Sequence, residues 1–131
     1  MRALLLLVLV GSASAQQPGW EVRVPERIDL VAGQGGSLSI SIAVDRGLTI
    51  SRDAGIIVDL APDGVAIKKK RLARTDAVDP EADAPRFAVP VKADAAGDFS
   101  INVRARFWVC ASRTCKPIDV KRTVAVGVTQ P

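Results

Sequence analysis

The chain has 131 residues, with 18 Lys and Arg against 14 Asp and Glu, for a formal charge of +4. So mild an excess does not by itself point to a nucleic acid or a membrane surface as partner. Histidine and tyrosine are absent, which excludes Ser-His-Asp and Cys-His catalysis and any His-ligated metal.

The N-terminus reads as a secretory signal. Met1-Arg2 precedes an unbroken apolar run from Ala3 to Val10, and Ala13-Ser14-Ala15 is an A-x-A site, so cleavage is expected after Ala15. The run is far short of the roughly 20 residues a transmembrane helix needs. Cleavage leaves residues 16–131, or 116 residues, which fits one domain of the usual size and can bury a core of its own. The expected location is periplasmic or secreted. An oxidising compartment favours pairing of the two cysteines, Cys110 and Cys115.

Gln16 to Gly19 is expected to be a loose leader. Trp20, Val22 and Val24 alternate, Pro25 interrupts, and Ile28, Leu30 and Val31 resume, which describes an edge strand broken by a proline. Trp20 is expected to anchor the core or its edge. Gly33 to Gly36 is a turn. Leu38, Ile40, Ile42 and Val44 then alternate with Ser37, Ser39, Ser41 and Ala43 in a clean period of two. A connection over 48–55 leads into a strand at Ile56 to Leu60, and Pro62-Asp63-Gly64 turns the chain.

Val65 to Lys70 is predicted as a strand that runs into the basic stretch Lys68 to Arg71. Such a stretch is either an anion-binding patch or the charged protection of a sheet edge. Arg74 to Pro85 is a long surface loop. Its Asp76, Asp79, Glu81 and Asp83 have oxygens for calcium but lack the EF-hand order and glycine, so a solvated loop paired with the basic run is the expected reading. Phe87, Val89 and Val91 form a strand and Ala95-Ala96-Gly97 a turn.

The last segment carries the strongest pattern. Ile101, Val103, Ala105, Phe107 and Val109 are apolar and alternate with Asn102, Arg104, Arg106, Trp108 and Cys110. After Cys-Ala-Ser-Arg-Thr-Cys, a second arm repeats the period with Ile118, Val120, Val124, Val126 and Val128. Setting Cys110 opposite Cys115 places Phe107 against Ile118, Ala105 against Val120 and Ile101 against Val124. Outside, Trp108 faces Pro117 and Arg106 faces Asp119. A slip of one residue would turn one whole arm inside out. The cysteines are therefore expected as cross-strand neighbours at a hairpin tip, on the outward side, with Cα atoms about 4.4–6.8 Å apart.

Short strands at regular spacing, Gly/Pro/Asp turns and no helical periodicity past the signal predict an all-β, Ig-like β-sandwich of about seven or eight strands. No phosphate-binding glycine loop, catalytic carboxylate pair, cofactor motif or metal-ligand set stands out.

Arg106-Phe107-Trp108-Val109-Cys110, four intervening residues, Cys115 and Lys116-Pro117 before a valine-rich strand resemble the N-terminal periplasmic domain of the thiol:disulfide interchange protein DsbD and its stand-alone bacterial relatives. The connection over 47–53, the charged middle loop and Arg86-Phe87 are also similar to these relatives. The resemblance implies an Ig-like sandwich in which Cys110 and Cys115 are the redox pair, shuttling electrons to or from a thioredoxin-like envelope protein. The DsbD domain carries tyrosines near its cysteines and this chain has none, which leaves Trp108 and Pro117 to cover the pair.

Two functions follow from the residues. In the first, Cys110 and Cys115 exchange with a partner thiol, Trp108 offers a docking surface, and Arg104, Arg106, Arg113 and Lys116 form a cationic surround that favours a thiolate. In the second, the pair is a structural staple of a non-catalytic binding module; closing so short a loop adds only about 2 kcal/mol in the chain-entropy model.

Overall fold

The computed structural model describes residues 19–131. The predicted signal peptide, its cleavage site and residues 16–18 of the leader lie outside them. Within the described residues no helix is long and apolar enough to cross a membrane.

Nine strands form in chain order: β1 (Trp20–Arg23), β2 (Arg27–Val31), β3 (Gly35–Val44), β4 (Thr49–Ile50), β5 (Ile57–Asp63), β6 (Arg71–Ala73), β7 (Arg86–Lys92), β8 (Gly97–Cys110) and β9 (Cys115–Thr129). One sheet has the order β1-β3-β7; the other runs β2-β9-β8-β5-β6, with β4 added beside β8. In immunoglobulin lettering these are A-B-E and A′-G-F-C-C′, so the strand order itself makes the sandwich Ig-like.

Period-two alternation builds both inner faces. Leu38, Ile40 and Ile42 of β3 are completely buried, facing Val58, Ile101, Val103, Ala105, Phe107, Val124 and Val126 from the larger sheet. The serines that alternate with them on β3 turn outward, as the pleat requires.

The strand interrupted by Pro25 crosses between sheets. β1 runs antiparallel to β3, whereas β2 runs parallel to the end of β9, from Arg27 beside Ala125 to Val31 beside Thr129. A proline cannot donate to a ladder, so the break at Pro25 is where the chain leaves one sheet for the other.

Two predicted elements differ. Val65 to Lys70 is not a strand: it makes a single bridge, Ala66 to Lys92, and the strand is Arg71–Ala73. Val65 and Ile67 are nevertheless buried, because this segment dips between the sheets and inserts alternate side chains without pairing along its length. Lys68, Lys69 and Lys70 are exposed and immediately precede β6, the edge of its sheet. Secondly, the connection over 48–55 contains β4, and the strand after it extends to Asp63. Gly64, at φ +78°, makes the turn there, and Phe99 covers it so closely that a Cβ on Gly64 would overlap the ring.

The 74–85 loop opens with a 3-10 turn over Arg74–Asp76 and buries Ala77 and Pro85. Arg74 Nη1 donates to the Ala82 carbonyl at 3.1 Å. All four of the loop's carboxylates are paired with a cation: Lys69 on Asp76, Arg86 on Asp79, and Arg52 shared by Glu81 and Asp83. Among the described residues no three metal-binding side chains converge.

Candidate functional site

β8 and β9 pair over fourteen positions, from Gly97 opposite Val128 to Cys110 opposite Cys115. The register is the one the apolar pattern predicts: Phe107 lies opposite Ile118, Ala105 opposite Val120, and Trp108 opposite Pro117. The Ala111 amide donates to the Thr114 carbonyl at 2.8 Å and closes the turn. Hydrogen-bonded and open pairs alternate along an antiparallel ladder, so Cys110 and Cys115 next to that bond form an open pair, where strands approach most closely. They are disulfide-bonded with Cα atoms 4.0 Å apart, slightly closer than the expected span. The same alternation makes Trp108 and Pro117 an open pair. The missing N–H of Pro117 therefore points away from β8 to a side with no strand, and the ladder loses nothing.

The disulfide does not join the two sheets. It links neighbouring strands of one sheet at the end of the sandwich, with Cys110 half-buried and Cys115 exposed. On its outward face an apolar patch follows along the strands: Trp108, 40% exposed, Pro117, and Ile57, 36% exposed. With Gly55, Arg106 and Asp119 they line a hollow of about 280 Å³.

Two neighbours escaped the sequence reading. Thr49 of β4 stands directly opposite Cys110 on the side away from Cys115; a two-residue strand leaves almost no periodic signal. Ile57 was legible in principle, since Ile56 and Ile57 are consecutive and a strand can turn only one of them inward. Ile56 is buried and Ile57 is not.

The predicted cationic surround is distributed differently. Arg106 is four residues from Cys110, about 13 Å along an extended strand, and its Nη2 is bonded to Asp59 at 2.6 Å. Arg104 is farther still and forms a two-point pair with Asp119, Nε–Oδ1 at 2.9 Å and Nη2–Oδ2 at 2.6 Å. Asp119 thus takes the arginine diagonal to it, not Arg106, which lies opposite. Lys116 has the parity of Val109 and points to the inner side of the sheet, away from the sulfurs. There it lines a groove of about 450 Å³ with Trp20, Leu48, Val109 and Ile118. Arg113 is exposed in the turn and, among the described residues, forms no ion pair. Of the four cations, Arg113 and Lys116 have no ion pair among the described residues, and only Arg113 lies in the turn itself.

The carboxylates feel these pairs. The Arg71 hydrogen bond, followed by that of Arg106, holds Asp59 below the usual carboxylate range against the opposing effect of burial. The hydrogen bonds from Arg104 do the same for Asp119 and raise Arg104 in return.

Trp20 takes the anchoring position expected of it. It is half-buried and meets Phe107 edge-on, with ring centroids 6.0 Å apart.

No family model matches the chain, and no curated protein matches it. Several solved structures are similar in outline. The trypsin-activated alpha-2-macroglobulin of Escherichia coli aligns at TM-score 0.49 and 15% identity, over 86% of this chain and 7% of that one. An MSP family member of C. elegans aligns at 0.45 and 7%, over 82% and 97%. Murine CRIg aligns at 0.42 and 7%, over 84% and 98%. The Ig-like assignment rests on the strand order and not on these scores.

Proposed function

We propose that the chain is an exported Ig-like module whose Cys110–Cys115 disulfide undergoes thiol–disulfide exchange with a thioredoxin-like envelope protein. One observation carries the reading: the bond is solvent-accessible and spans strands already held in register by thirteen other pairs, so the fold does not depend on it for the pairing. Its likeness to the DsbD N-terminal hairpin supports the same role, and the Trp108–Pro117–Ile57 patch supplies an apolar surface for the partner.

The chemistry is ordinary exchange. A partner thiolate attacks one sulfur of the pair, a mixed disulfide forms, and the other sulfur leaves as a thiolate. The partner's second thiol then attacks the mixed disulfide. The pair is left reduced by two electrons and two protons, and the partner is left oxidised. Trp108 and Pro117 flank the bond on the face by which the partner approaches.

A second reading, a non-catalytic binding module with a stabilising disulfide, is favoured by the commitment of Arg104 and Arg106 to carboxylates about 13 Å or more from the sulfurs. The reduction potential separates the two. A value near about −200 mV supports exchange, and one below about −300 mV supports the staple. In parallel, Cys110→Ser and Cys115→Ser are each incubated with candidate envelope oxidoreductases and run on non-reducing gels. A covalent adduct from either variant supports exchange. No adduct from both, together with a pair that stays oxidised in mild reductant, overturns it.

A further inference from the structure

β8 is paired on both sides along most of its length, by β9 on one side and by β5 and β4 on the other. β9 is not. Its second neighbour, β2, reaches only Ala125 to Thr129, so 115–123 form an open edge. The direction of that edge is set by the register. The Ala125 amide donates to Glu26, on the side away from β8, and residues two apart in a strand point their N–H groups the same way. The amides of Asp119, Lys121 and Thr123 therefore face outward, with no strand partner among the described residues. The Lys121 carbonyl on the same side takes Arg122 Nη1 at 3.0 Å in place of a strand.

We propose that this edge, from Asp119 to Thr123, accepts an acidic extended segment of a partner protein as an additional strand. The inference is independent of the exchange reading.

The site has natural limits. Pro117 offers no donor on one side, and β2 with Glu26 closes the other. The remaining length matches the alternate main-chain bonds by which peptides extend an exposed sheet. Two of the other edges, those of β6 and β7, are less open. β6 has three residues, and β7 is occupied near its ends by the Val78 amide on Arg86 and the Ala66–Lys92 bridge.

Charge selects the occupant. Lys116, Lys121 and Arg122 have no ion pair among the described residues, while the one carboxylate of the edge, Asp119, is neutralised by Arg104. Antiparallel pairing of two copies about Lys121 would set like charges together, which disfavours self-association and favours acidic side chains. Lysines at an edge deter indiscriminate pairing; here they also make the edge selective, and Arg122 can exchange its carbonyl contact for a carboxylate.

The test titrates isotope-labelled protein with a capped peptide of four Glu-Val repeats, and with the same peptide N-methylated at alternate residues. Saturable binding with the largest amide shifts at Asp119, Lys121 and Thr123 is expected, and the N-methylated peptide should bind at least about tenfold more weakly. Lys121→Pro removes an outward donor at a position equivalent to Pro117, and should weaken binding by a similar factor. The pair Lys121→Glu with Arg122→Glu keeps every amide and should weaken the acidic peptide by about tenfold or more through charge alone; it decides the matter if the proline variant fails to fold. The proposal is overturned by shifts that map elsewhere, by equal binding of a Lys-Val peptide, by absence of saturation at millimolar peptide, or by exchange protection of these three amides in the free protein.

Discussion

Phe107→Ala compared with the double replacement Cys110→Ser and Cys115→Ser asks whether the core or the disulfide holds the terminal hairpin. Phe107 is 2% exposed, faces Ile118 across the hairpin and contacts Trp20 edge-on. Removing a ring so enclosed should cost about 3–5 kcal/mol, including about 0.5–1.5 kcal/mol from the aromatic pair. The disulfide closes residues 110–115 only, and its chain-entropy contribution is about 2 kcal/mol. Exposed Cys115 and half-buried Cys110 both leave room for serine hydroxyls to reach water. Urea unfolding at 25 °C, followed by tryptophan fluorescence, compares the two. With a slope of about 1–3 kcal/mol per molar urea, the alanine variant should unfold at a clearly lower urea concentration than the double serine variant. An unfolded double serine variant at room temperature, or one less stable than Phe107→Ala, would refute the view that the disulfide is structurally redundant.

Asp59, held below its ordinary range chiefly by Arg71 and also by Arg106, contributes stability that is present above the unfolded carboxyl's pKa and is lost as pH falls through the lowered value. Asp59→Asn should be less stable than the parent at neutral pH, with the difference shrinking on acidification; a constant difference in thermal midpoint from pH 7 to pH 2 would contradict this. Gly64→Ala places a side chain at φ +78° and against Phe99, so a loss of about 2 kcal/mol or more is expected. Unchanged stability in chemical unfolding would show that Phe99 moves aside without cost.

The terminal hairpin was readable because its information is local. Two arms with a period of two, joined by a short turn, admit one register that turns both apolar sets inward, and Cys110, Cys115, Trp108 and Pro117 follow from it. The exposed lysines before β6 and the inward Leu38, Ile40 and Ile42 were readable for the same reason. What the tertiary structure alone decided depends on neighbours distant in sequence. Pro25 announced a break, but its role as the crossing between sheets depends on β9 lying free to receive β2 in parallel. Val65 and Ile67 alternate like a strand, yet they enter the core from a segment that has one bridge to Lys92. The arginines show the limit most clearly. Register sets Arg106 opposite Asp119, but a guanidinium on a long stem reaches diagonal partners, and with Asp59 brought alongside by β5 the pairing becomes Arg106 to Asp59 and Arg104 to Asp119. Parity determines which face a side chain occupies; only the packing of strands remote in sequence determines which charge it meets there.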